Sequence, residues 1–205
     1  MESVLFNLIP TLTFVLVTTF TPGPNNTMSL VSGKNNGYKK SLKFLFGIFT
    51  GFFILMMLCG FFNRILFSVL PSIKPYISIA GSLYMLYLAV IILKSDLGSH
   101  SYPINFSYKK GLFLQFMNIK VIMYGLALYG TFISPYFDGL WVVIISAFLL
   151  ASMSFTSISL WSLSGSRFSR IINLHPGVFS VVTAGLMAFS SVSILYPILV
   201  KLISS

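Results

Sequence analysis

One short run, Thr21-Pro22-Gly23-Pro24-Asn25-Asn26-Thr27, interrupts an apolar stretch that otherwise extends from Val4 to Val31. Its two prolines remove two backbone donors and push the residues before them away from helical geometry, and Gly23 adds freedom between them. Asn25 and Asn26 contribute side-chain donors and acceptors that are costly to leave unpaired in an apolar medium. A second polar group follows in Gln115-Phe116-Met117-Asn118-Ile119-Lys120, where Lys120 is the only formal charge deep inside an apolar run. Free peptide groups at a helix break, a few amides and one ammonium suit a ligand-binding or gating role, with backbone carbonyls, an anion or water as the partner that the ammonium needs. They do not suit bond-making. The sequence carries no phosphate-binding glycine loop, nucleophile triad or metal-ligand cluster, so it reads as a non-enzyme that needs neither cofactor nor metal.

The depth of the two groups supports this reading. Gly23 lies 11 residues before the first following base, Lys34, or about 16 Å by helical rise. Lys120 lies 10 residues after Lys110, about 15 Å. Both distances are close to half of a hydrocarbon core about 30 Å thick, where irregular backbone is tolerated only when buried in protein or lining a wet cavity. A lysine at that depth costs about 2.5 to 3.5 kcal/mol on insertion scales and needs a partner. The blander alternatives are a proline kink and a snorkelling lysine. At about 100° per residue, Gln115 and Asn118 share a helix face, whereas Lys120 is about 200° from Asn118. Either the helix is distorted near Asn118, or Lys120 turns toward another element such as the broken end of helix 1.

The elements that must position these residues follow from composition. Of 205 residues, 56% are apolar and 8% charged, against about a quarter charged in soluble domains. At about 20 residues per crossing, the chain holds six spans in a single all-α transmembrane domain, 1–205. They fall at approximately 4–31 (interrupted at 21–27), 42–62, 73–93, 111–134, 139–163 and 178–200. The 13 Lys+Arg against 3 Asp+Glu sit between apolar runs, which indicates membrane orientation and not nucleic acid. Lys34, Lys39, Lys40, Lys43, Lys94, Lys109, Lys110, Arg167 and Arg170 fall on one side, and Arg64, Lys74 and Lys201 on the other. By the positive-inside rule both termini lie outside the cytoplasm. Three spans per half make two inverted three-helix repeats, with helices 1 and 4 interrupted. Glu2 and the lack of a small-residue cleavage site argue against a cleaved signal peptide.

Cys59 stands alone, which argues strongly against a thiol relay, and Glu2, Asp96 and Asp138 lie at a terminus or in loops, so no intramembrane carboxylate relay is available. The hydroxyl-rich fifth span (Ser152, Ser154, Thr156, Ser157, Ser159, Ser162, Ser164) and the Gly47/Gly51 pair read as helix packing within the chain. Tyr84 and Tyr124 read as aromatics of the core or of a site wall.

The two polar motifs resemble the signatures of the LysE/RhtB family of amino-acid exporters. The similarity continues through Gly37 with Lys39-Lys40, Gly47 and Gly51, Gly81 with Tyr84 and Leu88, and Trp161 with Gly165 and Arg170. Most members carry Asn-Pro-Lys where this chain has Asn118-Ile119-Lys120. That substitution, the preceding Leu114-Gln115-Phe116 and the segment Trp161-Ser162-Leu163-Ser164-Gly165 are similar to the branch that exports cysteine and O-acetylserine. The resemblance implies efflux of a small neutral or sulfur-containing amino acid across the inner membrane, with threonine/homoserine-type or basic amino acids as the alternative cargo. It implies coupling to an ion gradient, with protons as the ion. With the residues already singled out, the candidate substrate-binding or gating residues are Pro22, Gly23, Pro24, Asn25, Asn26, Gln115, Asn118, Lys120, Tyr84, Tyr124 and, from the resemblance, Trp161. The partners are then the substrate, the lipid bilayer, coupling protons and, in a homo-oligomer, further copies of the chain. A non-transporting membrane protein or redox relay is the rival from another class.

Overall fold

The computed structural model describes residues 2–63, 76, 79–80, 82–84, 86–94, 105–134, 137 and 139–203. Among them every element is helical: α1 (Glu2–Phe20), α2 (Pro24–Asn36), α3 (Tyr38–Phe61), α4 (Tyr108–Met117), α5 (Ile119–Ala127), a π turn (Leu128–Ile133), α6 (Leu140–Arg167), α7 (Ser169–Leu174) and α8 (Pro176–Ile203). A helical stretch, Ser82–Lys94, lies within the expected third span. Helices α3 and α6 are each long and apolar enough to cross a bilayer, and α4 with the following helix through Ile133, bent by 62°, makes a third such span. Residues 73–75 of the expected third span, Arg64, Lys74, Asp96, His100 and Asp138 lie outside the described residues.

The interruption expected at 21–27 is shorter in the structure, because α2 resumes at Pro24. Proline at the first helical position loses no hydrogen bond, its N–H being unpaired there in any case. Helix α2 ends at Gly37, whose φ of 73° favours glycine and turns the chain directly into α3. Its N–H donates back to the Gly33 carbonyl.

Two pairs of glycines draw backbones together. A Cβ on Gly33 would stand 1.9 Å from the Ser162 carbonyl oxygen, and one on Gly165 would stand 2.1 Å from that of Leu30, so α2 and α6 touch main chain to main chain. Gly47 and Gly111 do the same for α3 and α4, at 2.1 Å from Tyr108 O and 2.2 Å from Phe44 O. Such small-residue contacts let helices approach closely where lipid offers no hydrophobic drive, and Gly47 and Gly51 serve packing within the chain, as expected. These contacts bring the end of α2, the starts of α3 and α4 and the end of α6 together, so Lys34, Lys39, Lys40, Lys109, Lys110 and Arg167 gather at one end of the bundle.

The core has two apolar halves with a polar belt between them. Along α3, Phe44, Leu45 and Ile48 belong to the cluster nearer the basic end, with Met28, Val31, Leu114 and Ile158. Phe52, Leu55, Met56 and Cys59 belong to the other, with Val121, Tyr124, Tyr129, Leu150 and Ala151. Buried Ser154 and Ser157 lie between Ala151 and Ile158 on α6. Asn25, Asn26, Gln115 and Asn118 are buried as well. Large apolar side chains, Leu16, Val17, Phe46, Leu149 and Phe189 among them, are exposed on the outside, the surface a protein presents to lipid.

Candidate functional site

The two helix breaks meet in the polar belt. At the first, α1 ends at Phe20 and α2 starts at Pro24. The carbonyls left free at the end of α1 are taken by side chains: Asn26 Nδ2 donates to the Thr19 and Thr21 oxygens, 2.9 Å each. Ser157 Oγ donates to Thr19 O at 3.0 Å and to Asn26 Oδ1 at 3.2 Å. Asn26 thus caps the helix it follows, and α6 braces the cap. The second break is one residue, Asn118, with φ −93° and ψ 89°, between α4 and α5.

A reciprocal amide exchange joins the breaks. Asn25 Nδ2 donates to Gln115 Oε1 at 2.9 Å, and Gln115 Nε2 returns a bond to Asn25 Oδ1 at 3.0 Å. The same oxygen accepts from Asn118 Nδ2, also at 3.0 Å. Lys120 reaches across in the other direction, its Nζ donating to the Thr21 carbonyl at 3.4 Å. Gly23 makes room for it: a Cβ there would sit 3.2 Å from Nζ.

The bend resolves the conflict of helix faces. With the helix interrupted at Asn118, its angular phase restarts, and both Asn118 and Lys120 line one small cavity of about 40 Å³ together with Thr21, Gly23, Pro24, Asn25, Asn26 and Tyr124. That volume has room for about three waters. Thr18, Thr19, Phe52, Val121 and Ser154 complete the wall. Phe14 stacks on Tyr124 with ring centroids 5.6 Å apart, and Phe52 lies 6.0 Å from the same ring, so aromatics close the side away from the basic end.

Of the expected site residues, Gly23, Pro24, Asn25, Asn26, Asn118, Lys120 and Tyr124 come together in this wall. Gln115, wholly buried, sits behind it as the partner of Asn25, and Pro22 lies at the break but faces outward. Tyr84 is elsewhere, in a second cavity of about 740 Å³ that also holds Tyr87, Lys94 and Lys110. Trp161, half-buried on α6, lines neither cavity. Sequence reasoning passed over Thr18, Thr19 and Phe52, and took Ser154 and Ser157 for packing. The adjacent hydroxyls just before the break were the available signal for the threonines.

Electrostatically the site is positive. Lys120 is the one charged residue in its wall, and among the described residues it has no carboxylate partner. Two helix N-termini, those of α2 and α5, begin at the cavity. The first intrahelical bond of α2 runs from Thr27 N to Gly23 O, which leaves the Asn25 and Asn26 amides free of helix partners at its positive end. Among the described residues no cluster of metal-ligating side chains occurs.

Comparison with known proteins agrees with this picture. The family model of the LysE type translocator matches residues 16–197. The cysteine/O-acetylserine efflux proteins of Escherichia coli (strain K12) and Shigella flexneri are each 34% identical to this chain over 188 residues, 90% of its length and 95% of theirs. No solved structure matches the chain.

Proposed function

From the premise that this chain belongs to the LysE type translocator family, we propose that it is a secondary transporter exporting a small neutral or sulfur-containing amino acid, or a derivative such as O-acetylserine, across the inner membrane. The observation that carries the reading is the cavity at which both helix breaks and Lys120 converge. In this reading Lys120 and the free amides of Asn25 and Asn26 take the substrate carboxylate, Asn118 and Tyr124 complete the binding wall, and Gln115 orients Asn25. Non-helical backbone at mid-span is the usual form of such a site. A cationic cargo side chain would meet Lys120 with no acid in the wall to offset it, which favours neutral amino acids over basic ones.

The topology of the proposal is six spans as two inverted repeats, with the basic end in the cytoplasm and both termini outside. Gathering of the bases at one end supports that orientation. Transport draws on an ion gradient, and Tyr84 and Trp161, which do not line the small cavity, act in gating and not in first contact with the cargo.

Everted membrane vesicles bearing the chain test the reading directly when offered labelled cysteine, O-acetylserine, threonine and lysine in turn. Energised accumulation of the first two above that in vesicles lacking the chain is expected. No difference for any of the four overturns the assignment.

A further inference from the structure

On the reading that the cavity carries an amino acid, we propose that its α-ammonium is recognised separately from its carboxylate, in a seat formed by the Asn118 side-chain oxygen and the Thr21 carbonyl at the end of α1, and that a free amino group is therefore required of the cargo.

Hydrogen-bond direction around Asn25 determines which atom Asn118 offers. Asn25 Oδ1 already accepts from Gln115 Nε2, and Asn25 Nδ2 is spent on Gln115 Oε1. The face that Asn25 turns to Asn118 is therefore an acceptor, and Asn118 answers it with Nδ2. This leaves Asn118 Oδ1 as a buried acceptor without a partner, on a side chain only 3% exposed, in a residue of the cavity wall. A buried carbonyl oxygen left unpaired is costly, and a donor that arrives with the cargo removes the cost.

The second half of the seat already holds a cation. Thr21 O, at the negative end of the α1 dipole, accepts from Asn26 Nδ2 at 2.9 Å and, as a second bond, from Lys120 Nζ at 3.4 Å. That ammonium rests where a cargo ammonium would bind, and its stem can turn to the α2 side of the cavity when a carboxylate occupies the free amides of Asn25 and Asn26. One helix break thus presents a negative end and a positive end a few ångströms apart, matching the two charges of a zwitterion. A carboxylate lacking the amine satisfies only one of them, and sites built to bond a substrate N–H discriminate strongly against analogues without it.

The test compares cysteine with 3-mercaptopropionate, the same molecule without its amino group, as competitors of labelled O-acetylserine in everted vesicles carrying the full chain. With the wild-type protein, 3-mercaptopropionate should compete at least about tenfold more weakly than cysteine. In Asn118→Leu the gap should close, through weaker competition by cysteine. Equal competition by the two compounds in wild type, or an undiminished gap in Asn118→Leu, overturns the ammonium seat while leaving export itself standing. If wild-type vesicles accumulate no labelled O-acetylserine, cysteine, threonine or lysine, the exporter reading falls and the seat with it.

Discussion

The two helix breaks are alike in depth and unlike in cause. At Thr21–Gly23 the chain itself forbids a continuous helix: Pro22 and Pro24 lack the donors, and the displaced carbonyls are capped by Asn26 from the next turn. At Asn118 nothing in the covalent structure forbids one. There a 62° bend is held by bonds to other parts of the fold, Asn118 Nδ2 to Asn25 and Gln115 to the same side chain. The first break is intrinsic and the second is borrowed from the first. A span can be interrupted because of its neighbour.

The largest effect should come from removing the cation that crosses from the borrowed break to the intrinsic one. Lys120→Met is expected to lower export at least about tenfold, by loss of the roughly 1.5 to 3 kcal/mol that a hydrogen bond to a charged group is worth, here the bond to the cargo carboxylate. Normal protein levels in the membrane with retained efflux would take Lys120 out of the site. Next in size is Asn25→Leu, which leaves Gln115 Oε1 and Asn118 Nδ2 without their partner in a buried position, Gln115 Nε2 keeping only its 3.5 Å bond to Gly111 O. It should destabilise the protein by about 2 to 4 kcal/mol, read as a lowered melting temperature in detergent. It should also straighten the second break while leaving the first in place, as distance measurements between spin labels on α4 and α5 would register. An unchanged α4–α5 distance would show the second break to be independent.

The smallest effect is expected from Ile119→Pro. Ile119 is the first residue of α5, and Asn118 before it is already outside the helical region at φ −93° and ψ 89°, so proline fits with the loss of no helix bond. A change within about 0.5 kcal/mol in thermal stability, with export retained, would establish that this chain keeps by hydrogen bonding the geometry that its relatives with proline keep covalently. A drop of several kcal/mol would mean that the local backbone differs from that of a proline-made break.

This contrast also explains what could be read in advance. The first break was legible because its cause is local: Pro22, Gly23 and Pro24 act on their own backbone. The second was visible only as a contradiction, with Asn118 and Lys120 about 200° apart on a regular helix. Its resolution needed the partner 93 residues away. Asn26 was singled out as polar and deep, but its capping role depends on the chain folding back within one turn to reach Thr19. Gln115 was expected in the wall and stands behind it, its amide spent on Asn25. Tyr84 was read as an aromatic of the core or of a site wall and Trp161 entered through family resemblance alone, and no spacing argument could have shown that neither lines the small cavity. Helix identity and the basic end, which depend on periodic composition and charge counts, needed no such long-range information.

The size of that cavity sets the tempo of an exporter built on it. A space with room for about three waters admits a cargo only while its walls are apart, so each molecule delivered requires one excursion of the protein. Turnover is then paced by helix motions on the microsecond-to-millisecond scale and not by diffusion through an open path.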